Sequence, residues 1–542
     1  MKRNFVATLL ALLLSAAAPP SSAAQDAILR FTGSSSIEEL EESEYERLES
    51  MLQHPLRINT ASLETMTGSG LMTPFQAASV EDYRKSHGDI LSYMELSSID
   101  GFTKDYAERI APFISLVPRG KVSDHTGHEA VLRASLKGWG VKYRIRKEGR
   151  YSISSAVKAS DGWRPDTWSG AATAFWRRGK VTIGDFNARF GQGLSMWSGF
   201  SLSGVGTADA FRRRPCGISP TWTFGTSRLR GIAGDMTFGN VRVSVLGATN
   251  ALDRPKDVWA MPAANVSWAG RRAEAGVTGW WRTDGSGVVS SDFGLNLGKV
   301  DVFGEAGIDV ASHATAGIIG AMWSPAWQRK YSIIVRAYPV SFSGINSGSV
   351  RSGTKSSGEY ALAIGTKRKW LDLTVDGAWL PAKGYVQVKA LAKSTINVSR
   401  SVSIIPRASL RVRKEDTRSD ARVDIAWAHG AWTATWRSNA VHSRSWGQLH
   451  YAEGGYKGRK LVAWARVTGF AVDNWDDRIY CYERDAPGNF NVPAYHGRGI
   501  AVSAVAGYRT RRSSLYLRAS YIKYFNDKPA RSEAKLQYML NL

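Results

Sequence analysis

The chain has 542 residues, with 71 Lys and Arg against 47 Asp and Glu, a formal charge of +24. At 43% hydrophobic residues it has ample core material, which excludes a mainly disordered chain, and its two cysteines are too few for a disulfide scaffold. Its 53 glycines, 20 tryptophans and 20 tyrosines, beside only 18 prolines, point to a β-rich body with aromatic belts. The charge is split along the chain: residues 25–116 hold 16 acids and 7 bases (−9), and residues 117–542 hold 31 acids and 62 bases (+31).

Lys2 and Arg3 precede an apolar run from Phe5 to Ala18, then Pro19, Pro20 and small residues. This is the pattern of a signal peptide over residues 1–24, cleaved after Ser22-Ala23-Ala24, and it predicts export. No cysteine sits at the cleavage point, which argues against a lipoprotein. After residue 24 no uncharged apolar stretch is long enough to cross a membrane as a helix, so a membrane-embedded form has to be a barrel. Cys216 and Cys481 would meet an oxidising compartment, and a disulfide or two separate thiols both remain open.

Residues 25–54 read as an acidic helical leader in which Leu40, Tyr45, Leu48 and Leu52 mark one face among many glutamates. Residues 55–116 read as short helices and turns: a start at Arg57 to Glu64, a glycine turn at Met66-Thr67-Gly68-Ser69-Gly70, a helix from Ala77 to Lys85, a second turn at Ile99-Asp100-Gly101-Phe102, then Tyr106 to Ile110. The string INTASLETM…GSG…AASVEDYRKSHGDILSYMELSSIDGF…AERIAPFI resembles the tandem helix-hairpin-helix module of the ComEA-like competence family. The resemblance implies duplex DNA held through backbone N–H groups and helix N-termini, with Gly68, Ser69, Gly70 and Gly101 as the DNA-backbone residues. Two departures bear on this: Ser69 stands between the first pair of glycines where an apolar residue is expected, and Thr103 where the second hairpin has its second glycine. Residues 55–116 also carry eight acids and five bases, a balance that disfavours DNA and favours a protein partner for residues 36–116.

After a linker at 117–129, residues 130–542 change to a period of two. Val141 to Arg146 alternates strictly. Val300, Val302, Ala306 and Ile308 share a face opposite Asp301, Glu305 and Asp309, and Ala534 to Leu542 repeats the pattern. Turn signals recur about every 30 residues, room for two strands of roughly ten residues, the length that crosses a bilayer tilted. Trp176, Trp280, Trp281, Trp323, Trp370 and Trp379 fall near strand ends, where interfacial girdles lie. The predicted fold is a small all-α tandem helix-hairpin-helix module followed by a large antiparallel transmembrane β-barrel of about 18–24 strands. The segments GDFNARFGQGLSMWSGF (Gly184 to Phe200) and RIYCYERDAPGNFNVPAYHGRG (Arg478 to Gly499), with the N-terminal hairpins, resemble a family from Bacteroidetes-type bacteria that joins a ComEA-like module to an outer-membrane barrel. That resemblance implies location and architecture but no activity. The chain ends on Leu542, where outer-membrane barrels usually carry an aromatic residue.

No catalytic residues emerge: there is no Gly-x-Ser-x-Gly elbow, paired-carboxylate motif or phosphate loop, and no cofactor is implied. His125 and His128 offer two metal ligands without a third, and Asp473, Asp476, Asp477, Glu483 and Asp485 crowd one loop without an EF-hand spacing, so no metal site is assigned. Gly191, Gln192 and Gly193 lie in a 61-residue gap between turns, either as an inward constriction or as a glycine kink. Arg144, Arg146, Lys389 and Lys393 fall on the polar face of their strands, which in a barrel lines the lumen.

The reading is therefore an outer-membrane barrel among lipid and lipopolysaccharide, with its N-terminal module in the periplasm, passing an anionic solute or polymer. DNA uptake and a non-transporting anchor or scaffold for envelope assembly or secretion are the alternatives. An open basic lumen favours passage; a filled lumen favours the anchor.

Overall fold

The computed structural model describes residues 21–118, 126–147, 149–176, 178–199, 205–224, 228–253, 257–270, 272–414, 416–526 and 528–542. The apolar run Phe5 to Ala18, the linker residue His125 and Phe200 lie outside the described residues. Among the described residues six α-helices come first: α1 (Ser21–Thr32), α2 (Glu42–Gln53), α3 (Leu63–Gly68), α4 (Pro74–His87), α5 (Tyr93–Leu96) and α6 (Lys104–Ile110). The acidic leader expected over residues 25–54 is broken into separate elements. In the structure Ile37–Glu39 is a separate short 3-10 turn, so Glu38 and Glu39 stand off the helix and are free to turn toward the wall.

Caps set the later helices. The side chains of Ser62, Ser92 and Thr103 accept from N–H groups in the first turns of α3, α5 and α6, and Thr73 with Gln76 forms a reciprocal capping box at α4. Gly101 has φ of +84°, and a Cβ there would meet the Phe75 ring at 2.6 Å, so that turn requires glycine twice over. Ile28, Leu48, Ile58, Met66, Leu96, Ile110 and Phe113 form the module's core, which Ala210 and Tyr482 of the later chain complete.

The rest is a closed antiparallel barrel of 24 long strands. Each strand pairs with its sequence neighbours, and the first (Thr126–Ser135) closes on the last (Arg531–Asn541) with Glu129 opposite Asn541. The first strand thus begins at Thr126, within the segment read as linker. Alternation decides the two faces. In Val300–Asp309 the polar residues Glu305 and Asp309 are buried inward and Ile308 is exposed outward. Outward positions such as Ile153, Val245, Val277, Ile319, Ile364 and Leu517 are each about half exposed and apolar, a belt suited to lipid. Trp176, Trp281, Trp323, Trp370 and Trp379 join that outer surface. Trp280 does not: successive strand residues face opposite sides, so with Trp281 outward its ring turns inward and its Nε1 donates to the Ser195 carbonyl at 3.1 Å.

The end that carries both barrel termini has short turns. The opposite end carries three long connections, 190–228, 339–358 and 473–496. Neither cysteine is bonded to the other; both are free and buried.

Candidate functional site: an occupied lumen

The lumen is not empty. The described parts of the connection between 190 and 228 lie within it: Leu194, Met196 and Phe211 join an apolar cluster with wall residues Phe303, Ile334 and Ala363. The turn at Gly191, Gln192 and Gly193 meets the wall at Glu305, whose carboxylate accepts from the backbone N–H of Gln192 (2.7 Å), Leu194 (2.9 Å) and Ser195 (3.1 Å). A buried carboxylate with three N–H donors is well satisfied, so this contact fixes the connection rather than leaving it mobile. Farther in, Asp209 is surrounded by Arg109 of α6 (3.2 Å), Lys330 and Lys367 (2.5 Å). Burial alone would raise the Asp209 pKa, but these three cations hold it well below the ordinary carboxylate range. Lys330 and Lys367 stand beside the short turns, so a connection that leaves from the long-loop end reaches the other mouth of the barrel.

The N-terminal segment fills much of the remaining space. Glu38 binds two wall arginines, Oε1 to Arg437 at 2.7 Å and Oε2 to Arg422 at 3.3 Å, and its Oε1 also accepts from the Tyr482 N–H at 3.0 Å. Glu39 meets Arg407 at 2.8 Å, Glu46 meets Lys142 at 2.9 Å, and Glu44 lies 3.6 Å from Arg189. Burial opposes ionisation at Glu38 and Glu44. The arginines win at both, leaving Glu38 well below the ordinary range and lowering Glu44 to about 2. Tyr45 touches Tyr482 hydroxyl to hydroxyl at 2.9 Å, and the Gly488 N–H donates to Glu49 at 2.6 Å, so the connection at 473–496 folds down onto α2. At the short-turn mouth, the Trp327 ring sits under the Lys104 ammonium at 5.0 Å and donates from Nε1 to Glu108 at 3.2 Å. The −9 segment and the +31 segment are two sides of one contact, formed within a single chain.

The residues singled out from the sequence take these places. Arg144 pairs with Glu129 at 2.5 Å and stacks over the Trp222 ring at 4.3 Å; Lys389 donates to the Ser352 carbonyl at 3.2 Å; Lys393 donates to the Ser35 carbonyl of the N-terminal segment at 3.0 Å. Arg146 is exposed near the short-turn end of its strand. Gly68 sits where a Cβ would lie 3.1 Å from the Lys180 ammonium, the Ser69 carbonyl accepts from Arg47, and Gly70 packs against the same guanidinium. The first hairpin therefore faces the barrel and α2, while Gly101 is covered by Phe75. Of the acids in the 473–496 connection, Asp473 pairs with Arg498, Asp477 accepts from the Ser445 N–H, Glu483 pairs with Arg518 and Asp485 with Lys535. His128 lies in the first strand, its Nδ1 at 2.7 Å from the Tyr143 hydroxyl. Lys142, Arg189, Arg407, Arg422 and Arg437, which make the principal contacts, were not among the residues singled out. The signal for them was the opposite charge of the two segments combined with inward strand positions.

At the long-loop end a cavity of about 620 Å³ lies between the wall, the 473–496 connection and Glu39. Among the described residues that line it, five are arginines and three are acids.

Fold and site together define a large antiparallel barrel whose lumen is occupied by its own N-terminal helices. No family model matches the chain, and no curated protein sequence matches it. Among solved structures, the P pilus usher translocation pore (PapC) is similar over 77% of this chain and 99% of its own, at 10% identity and a TM-score of 0.36. An E. coli P pilus tip assembly intermediate, PapC-PapD-PapK-PapG, is similar over 78% of this chain at 8% identity and a TM-score of 0.48; this chain spans 62% of that one. Pseudomonas aeruginosa OprD is similar over 77% of this chain and 94% of its own, at 9% identity and a TM-score of 0.28. These likenesses concern the barrel fold alone.

Proposed function

We propose that the protein is an outer-membrane channel for an anionic solute or polymer, held closed by its own acidic N-terminal segment. One observation carries the reading: Glu38, Glu39, Glu44 and Glu46 occupy the inward-facing arginines and lysine where an anionic cargo would bind. A basic lumen attracts anions, and an acidic plug satisfies that lumen until cargo or a partner displaces it. The signal-like N-terminus and the apolar outer belt support the location. Contacts from the first hairpin to Lys180 and Arg47 weigh against a DNA clamp, because they cover the backbone that would meet phosphates. A second reading, a membrane anchor for envelope assembly or secretion, is favoured by exposed Leu91 and Met94 on the module, which offer an apolar face to a periplasmic protein.

Single-channel recording separates the two. The mature chain inserted in a planar bilayer should be closed or nearly so, and the full chain with Glu38, Glu39, Glu44 and Glu46 all changed to Gln should give anion-selective steps. If both forms insert and neither conducts, the channel reading fails and the anchor takes its place.

A further inference from the structure

The cavity at the long-loop end is not explained by plugging alone. Its inner-face positions come from strand alternation: Arg411 and Arg413 end one strand (Val402–Arg413), Asp416 and Arg418 begin the next (Asp416–His429), and the 473–496 connection adds Asp476 and Arg478. Asp416 serves both Arg411 (3.4 Å) and Arg413 (2.7 Å). Arg418 gives its hydrogen bonds to the carbonyls of Asp476 and Arg478, and Arg478 gives its own to the Trp475 carbonyl (2.9 Å) and the Tyr480 hydroxyl (3.0 Å). Two guanidiniums are thus fixed in place by neutral acceptors, with no carboxylate paired to either among the described residues. The described lining residues carry five positive and three negative charges, and the Arg411 Nε is buried with no hydrogen-bond partner among the described residues. Guanidiniums held this way are preorganised for bidentate binding of phosphate or carboxylate, and about 620 Å³ is the size of a small-molecule site.

We propose that this cavity is a receptor site for a small oxyanion carrying two or more phosphate or carboxylate charges, and that filling it loosens the plug. The coupling runs through Glu39, the plug residue that lines the cavity while paired with Arg407. A polyvalent anion beside Glu39 repels that carboxylate and competes for the positive potential that holds it. This inference rests on the closed-channel reading and names the class of ligand that opens it.

The test uses the full mature chain in detergent micelles, with pyrophosphate and citrate as probes in isothermal titration. At least one should bind, and the preferred probe tells phosphate from carboxylate chemistry. Arg418→Gln with Arg478→Gln should weaken binding at least tenfold. Arg498→Gln, which breaks an exposed pair outside the cavity, should leave it unchanged. If the double variant fails to fold, as judged by heat-dependent gel mobility, Arg444→Gln at an exposed lining position should weaken binding about threefold by removing one charge. Binding by neither probe, or equal binding by the variants and the parent, overturns the site. Hydrogen exchange over residues 36–53 should quicken when the site is filled, and unchanged exchange at saturation overturns the coupling. If the four-glutamine variant conducts but no probe binds, the receptor site falls and the channel stands. If a probe binds and that variant stays silent, the channel falls.

Discussion

Changing Glu38 to Gln tests the plug at its best-held point. Four groups form a closed local account: Arg422 and Arg437 against Glu38 and Asp424, with Asp424 at 2.8 Å from Arg422 and 2.5 Å from Arg437. The amide keeps the shape but leaves one buried positive charge uncompensated. Removing one partner of a buried pair costs about 3–5 kcal/mol, and because Asp424 still touches both arginines the lower end applies, about 3 kcal/mol. At about 1.4 kcal/mol per factor of ten, the ratio of docked to undocked plug should fall roughly 150-fold. Hydrogen exchange of the peptide covering residues 36–53 reads that ratio directly, in the regime where opening and closing outpace exchange. Adding Arg437→Gln restores the balance, with Arg422 against Asp424, and should recover most of the protection. Exchange within twofold of the parent in the single variant would refute the buried-pair reasoning.

Three further outcomes are expected. Burial pushes the Glu49 carboxyl up to about 7, against the pull of the Gly488 N–H and with Glu46 adding to the rise. Because this pKa lies above the ordinary 4.5, its contribution to docking is fully present below about 4.5 and is lost as pH rises through about 7. Exchange over residues 36–53, corrected for intrinsic rates, should therefore be faster at pH 8 than at pH 6. Glu49→Gln should flatten that dependence, and slower exchange at pH 8 would contradict it. Asp209→Asn leaves Arg109, Lys330 and Lys367 around a neutral amide and should cost about 3–5 kcal/mol, seen as a lower urea midpoint with the slope unchanged. Ile364→Arg, at the middle of an outward strand face, should destabilise the barrel by about 2–4 kcal/mol in lipid vesicles, and no loss there would mean that this face does not meet lipid.

Local pattern carried the barrel and stopped short of its contents. Period-two alternation and regular turns marked strands such as Val300–Asp309 within a residue of their ends, because side-chain direction in a strand depends only on position. The same rule placed Lys389 and Lys393 on the polar face, and applied one residue further it would have turned Trp280 inward. The contents were different in kind. Glu38 and Arg437 are 399 residues apart, and nothing near either one names the other. The split of charge between the two segments was visible, but it has no period and no spacing, so it pointed to attraction without a register. Asp209 likewise gains its meaning only when its connection is threaded past Lys330 and Lys367.

The seam between Thr126–Ser135 and Arg531–Asn541 has a consequence for how the molecule is made. The acidic helices precede in the chain the strands that bear Arg407, Arg422 and Arg437, and the ring is shut only where Arg531–Asn541 pairs with Thr126–Ser135. A globule as large as the helical module passes more readily into an open, curling sheet than through a finished mouth. The last strand is thus a latch as well as a stave. With the ring shut, the early glutamates neutralise a wall whose cations would otherwise repel one another across the lumen.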